Sequence, residues 1–141
     1  MASADELRKA IAAQQAALEA TIKAAAGKWN EAGNGEEWPP ARVAQHVIGG
    51  HVRYANHVSK AMLGKPAEWE NKELASADEA LARLAEANAI ADKAFRYVED
   101  RDLTKSAEVA PGNNRNVEAT LAEAASHLAE HVDHMKKTAG V

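Results

Sequence analysis

Four stretches of this chain carry apolar residues at three- and four-residue steps, and each is bounded by residues that start or stop helices. The 3.6-residue period of a helix gathers such positions into one stripe. The first stretch opens at Ser3 with Glu6 three residues on, a capping-box arrangement. Ile11, Leu18, Ile22, Ala25 and Trp29 follow, and Gly27 and Gly33-Asn34-Gly35 mark its end. Pro39-Pro40 suits the start of a second helix, because a proline in the first turn forfeits no intrahelical hydrogen bond. That helix is expected to run toward Leu63, with Gly64 as its cap and Pro66 barring extension. Ser76 and Glu79 repeat the capping box and open a third helix with heptad-spaced core positions Leu81, Leu84, Asn88, Ala91, Phe95 and Val98. The fourth is expected from near Asn116, along Val117, Leu121, Ala124, Leu128, Val132 and Met135.

The chain of 141 residues is expected to form one domain, residues 1–141, around a single core. Apolar residues make up 46%, much of it alanine, and aromatics only 4%. That composition suits packed helices better than sheets. The expected fold is all-α, a four-helix bundle. A polar segment from Asp102 to Asn116, with Pro111-Gly112 at its turn, is long for a bundle connection. It is expected to be functional or to cover a pocket, and no strand-period alternation is read in it.

The net charge of −4 argues against general nucleic-acid binding, which needs a basic surface. There is no cysteine, which excludes disulfides, thiolate nucleophiles and cysteine-held zinc. No stretch approaches transmembrane length, so no membrane partner is expected. Asp5, Glu6, Arg8 and Lys9 interrupt any apolar leader, and a cytoplasmic location is expected.

All six histidines fall in two short stretches: His46, His51 and His57, then His127, His131 and His134. Residues four apart on a helix are separated by roughly 40° and 6 Å, so His127 and His131 can meet one metal ion. A third imidazole from the first stretch would complete a site with an open position, the usual form of catalytic zinc. His46 and His57 share a face but lie roughly 16 Å apart along the axis, so one ion cannot use both. By spacing alone a second reading stands beside this one: six unrelated histidines on polar helix faces. The second helix's apolar stripe is read as centred on Val43, Val47, Tyr54 and Ala61, with His51 on one flank and His46 and His57 on the other. Gly49 and Gly50 are costly inside a helix, by roughly 1 kcal/mol each. Close helix contact is one explanation, and room beside His46 for a ligand is another. Asn88 is either a register-setting amide or a partner for the histidines. Glu130 is either a solvated side chain or a base beside His127.

The segment Trp38-Pro39-Pro40-Ala41-Arg42-Val43-Ala44-Gln45-His46 resembles the opening of the second helix in DinB-like bundles, also called the damage-inducible and maleylpyruvate-isomerase-like superfamily. His127-Leu128-Ala129-Glu130-His131 is similar to that family's fourth-helix His-x-x-x-His, and Gly64-Lys65-Pro66 also resembles it. The similarity covers essentially the whole chain. It implies one divalent metal, zinc or nickel, on His46, His127 and His131, in a bundle that forms a homodimer. Characterised relatives include thiol-dependent isomerases and S-transferases. The resemblance thus implies a metal-dependent enzyme acting on a small molecule, with a low-molecular-weight thiol as partner. A non-catalytic small-molecule or metal-binding stress module is the alternative. The chain departs from the pattern in the glycine pair after His46 and in His134, an extra imidazole that could compete as a ligand. His51 and His57 have no role in the family and are expected at the surface or in the cleft.

Overall fold

Each helix begins where its capping residue or, for the second, its proline pair predicts. In the computed structural model, which describes residues 2–141, helix α1 spans Ala4–Ala25 and is capped by Ser3, whose Oγ accepts the Glu6 N–H at 3.1 Å. Helix α2 spans Pro40–Ala61, with proline in its first turn. Helix α3 spans Ala77–Phe95, and Ser76 Oγ accepts the Glu79 N–H at 3.2 Å. Helix α4 spans Val117–Ala139, capped by Asn116 and closed by Gly140 at φ 70°.

The helices form a bundle in which α1 packs against α4 and α3, and α2 against α3 and α4. The diagonal placement of α1 and α2 follows from the connection between them. It is pinned by the Ala41 N–H on the Trp29 carbonyl, the Gly33 N–H on the Thr138 carbonyl, and the buried Trp29 Nε1–H on the Leu74 carbonyl at 2.9 Å. The core is built from Leu18, Ile22, Val47, Ile48, Leu84, Leu121, Leu128 and Met135, among others.

Four expectations are corrected. The 102–116 segment contains an antiparallel hairpin, β1 (Ser106–Ala110) and β2 (Asn113–Asn116), turning at Pro111-Gly112. In β1 only Ala107 and Val109 are half-buried, so the alternation rests on two small side chains in a polar stretch. The hairpin lies against α2, where Lys60 Nζ donates to the Glu108 carbonyl at 3.0 Å.

The second correction is the face of α2. Beyond Pro40, its buried residues are Val43, Ala44, Val47, Ile48, Gly50, His51, Val52, Ala55 and Val58, while Tyr54 and Ala61 are only half-buried. At 100° per residue the true stripe is turned by about 65° from the expected one. Third, α3 buries Ala77, Ala80, Leu84, Ala87, Ala91 and Phe95, leaving Leu81 and Asn88 half-buried. Alanine on the inner face lets helices approach closely, so the seam follows small residues rather than the bulky ones. Fourth, the left-handed residue ending α2 is Leu63, at φ 60°, not Gly64.

Candidate metal site

α2 and α4 pack side by side, and their facing flanks carry four of the six histidines. His46, His127 and His131 each offer a ring nitrogen, and these atoms lie within 4.8 Å of one another. His46 Nε2 and His127 Nε2 are 3.4 Å apart. Two nitrogens held at zinc's usual bond length with a tetrahedral angle between them would be about 3.3 Å apart. The ring centroids of His46 and His131, and of His127 and His131, are both 4.6 Å apart.

Gly50 makes this convergence possible. A Cβ there would stand 2.5 Å from His127 Cε1, so the imidazole occupies the space a side chain would fill. Gly49 is different: a Cβ there would make ordinary contacts with Asn71 Oδ1 at 3.5 Å and Trp69 Nε1 at 3.8 Å. Of the two expected reasons for the glycine pair, close packing explains Gly50, and what it admits is the His127 ring.

The surroundings of all three imidazoles favour the neutral form over the charged one. Burial pushes His131 down to about 4, with the charges of His127 and His46 adding to the effect. Burial also lowers His127, assisted by His46, and lowers His46, assisted by Arg53. A ring nitrogen must be unprotonated to coordinate a cation, so this electrostatic setting and the three-nitrogen donor set both fit a divalent metal.

The neighbours orient the group. His134 Nδ1 lies 3.5 Å from His131 Nδ1, the outer limit of hydrogen bonding, and stands outside the group of three. A proton between these atoms leaves His131 Nε2 free. The Trp38 ring is 5.5 Å from His46 and 5.7 Å from His134, with the Arg42 guanidinium 4.5 Å over its face. Thr138 Oγ1 donates to the Trp38 carbonyl at 2.6 Å, which ties this ring to α4. On the other side Tyr54, its ring 5.4 Å from His127, donates its hydroxyl to Glu123 at 3.2 Å, and Glu123 pairs with Arg115 of β2 at 2.6 Å. The hairpin thereby reaches the site. Glu130 is exposed on α4, near enough for its negative charge to act on His46, His127 and His131.

His51 is not a surface or cleft residue. It is fully buried at the centre of the α2 stripe, with Nε2 2.9 Å from the Gln15 amide nitrogen of α1 and Nδ1 without a partner. His57 is half-buried beside the cleft, and burial and the charges of Arg115, Arg53 and Lys60 lower its pKa. Asn88 of α3 is half-buried with Oδ1 unpartnered.

A cavity of about 440 Å³ opens beside His46, bordered by Gln45, Arg53, His57, Trp69 and Asn71. Arg53 is legible in principle, since it lies seven residues after His46 and a two-turn step returns to the same face. Trp69 and Asn71 carry no periodic signal, because they belong to the α2–α3 connection.

Comparison with curated proteins and with solved structures yields no match. The family model of the DinB superfamily matches residues 10–135, a span that takes in most of α1, all of α2 and α3, and both histidine stretches. The chain belongs to the DinB superfamily.

Proposed function

We propose that the chain is a metal-dependent enzyme in which His46, His127 and His131 hold one divalent ion, zinc or nickel. The observation that carries this reading is the meeting of three imidazoles from two helices, one of which, His46, borders an open cavity. A divalent ion there would polarise a substrate and supply a deprotonated nucleophile near neutral pH. The protein's own groups do the rest. His134 holds the His131 ring in orientation through Nδ1. Gly50 leaves free the space that the His127 ring occupies. Glu130, exposed on α4 and close enough for its charge to act on all three imidazoles, would be the carboxylate that takes up the nucleophile's proton and passes it to solvent. The family resemblance supports a transferase or isomerase that takes a low-molecular-weight thiol and an electrophilic small molecule, or a related hydrolase.

Elemental analysis of protein purified without an affinity tag tests the metal. One equivalent per chain is expected, lost in His46→Ala, His127→Ala and His131→Ala and kept in His57→Ala. Failure to retain any ion after zinc or nickel is added back would exclude the site. Turnover of an electrophile with a thiol, abolished by the same three substitutions and reduced by Glu130→Gln, separates an enzyme from a binding module that holds the metal without catalysis.

A further inference from the structure

The cavity beside His46 has a built wall. Its outer side is the α2–α3 connection, held in place from three sides. Asn56 Nδ2 donates to the Ala67 carbonyl at 2.9 Å, and Asn56 Oδ1 accepts the Ala67 N–H at 2.8 Å. Arg83 of α3 donates to the Glu70 carbonyl and stacks its guanidinium 3.7 Å from the Trp69 ring centre. Trp29 Nε1 fixes the Leu74 carbonyl. Trp69 is therefore a fixed aromatic wall facing α2.

The inner side carries Arg53. It borders the cavity and takes part in none of the ion pairs among the described residues. It shares that border with His46 and His57 of the same helix. No carboxylate lines the cavity among the described residues. Arg53 is the one lysine or arginine that borders the cavity among the described residues. An uncompensated guanidinium fork beside side-chain amides and an aromatic wall matches a small monoanion with a planar apolar body. The volume of about 440 Å³ is enough for such a molecule.

We propose that this cavity binds a small aromatic carboxylate, its carboxylate paired with Arg53, its body against Trp69, and its other end directed at His46. Only the last of these features rests on the proposed metal site. Arg53 and Trp69 bind the anion whether or not an ion is held by the histidines.

The probe is phenylacetate, with phenylacetamide as the neutral isostere and phenyl phosphate as the dianion. Binding is followed on the indole N–H resonance of Trp69, identified by its loss in Trp69→Phe, in protein with and without added zinc. Phenylacetate is expected to shift this signal saturably, and phenylacetamide and phenyl phosphate to bind more weakly. Arg53→Gln should weaken phenylacetate binding by about tenfold or more, the loss of one charge-assisted pair. Gly49→Ala places a methyl in the cavity without a clash, and should weaken binding while leaving the helical circular dichroism and zinc stoichiometry unchanged. Equal binding of the amide, stronger binding of the phosphate by zinc-free protein, or undiminished binding in Arg53→Gln would overturn the proposal. Phenylacetate bound equally by zinc-loaded wild type and Arg53→Gln means that the metal holds the anion; the metal site then survives and the carboxylate pocket fails. Arg53-dependent binding in a protein that takes up no zinc does the reverse: the carboxylate pocket stands and the metal site fails.

Discussion

A methyl group at position 50 would stand 2.5 Å from His127 Cε1 and 3.2 Å from its Nδ1. The obstructing atoms are the tip of a side chain, so the ring and not the helix would yield. Gly50→Ala is therefore expected to lose metal binding while keeping the fold, with helix propensity adding up to about 1 kcal/mol of stability. Elemental analysis beside a denaturant melt checks both halves; retained stoichiometry would show that His127 has another path to the site. Gly49→Ala, one residue earlier, should retain the metal. Neighbouring glycines with opposite expected effects cannot be told apart in the sequence. Both read as helix-weakening residues, and only the position of the His127 ring distinguishes them.

α2 ends in a Schellman arrangement, with the Gly64 N–H on the Ser59 carbonyl at 2.7 Å and the Leu63 N–H on the Lys60 carbonyl at 3.1 Å. Leu63 occupies the left-handed position and is 95% exposed. A branched side chain is strained there by about 1 kcal/mol and gains nothing from burial. Leu63→Gly is expected to raise stability by up to about 1 kcal/mol, read as a higher urea midpoint at unchanged m-value. An unchanged or lowered midpoint would mean that unfolded-state entropy outweighs the relieved strain. The cap is displaced by one residue from its expected place because Gly64 and Pro66 both signal a stop, and either register satisfies the local pattern. The hairpin is illegible for a similar reason. Its register is set by contact with α2 and by the Arg115–Glu123 pair, not by its own weak alternation.

Buried His51 couples the whole bundle to pH. Its imidazole titrates near 6.5 in an unfolded chain, and burial, with the charge of His127 adding, pushes it down to about 4 in the fold. Between those values the unfolded chain binds more protons, so stability is complete above pH 6.5 and declines as pH falls toward 4. The shift corresponds to a loss on the order of 3 kcal/mol. His51→Leu should make the midpoint-versus-pH profile shallower across this window, leaving the part that His131 and the other lowered imidazoles contribute. A profile as steep as that of wild type would assign the acid sensitivity to other groups. The core formed by the four helices contains none of His46, His127 or His131, so the metal-free protein is expected to keep its helical circular dichroism. Added ion should then stabilise it by about 2.7 kcal/mol at a hundredfold excess over Kd. A metal-free chain that is unfolded at room temperature would contradict this.

Helix number, the starts of the helices and the one-turn spacing of His127 and His131 were determined by the sequence alone, while the choice of His46 as their partner came with the family resemblance. Caps, prolines and 3.6-residue spacing act within a few residues, and such local physics is written in local order. The rotation of α2, the burial of His51, the fit of His127 over Gly50 and the Arg53–Trp69 cavity were decided only by tertiary structure. Each depends on which neighbour a helix face meets. With so much alanine, several faces of α2 and α3 are nearly equally apolar, and the close approach of the packed helices selects among them.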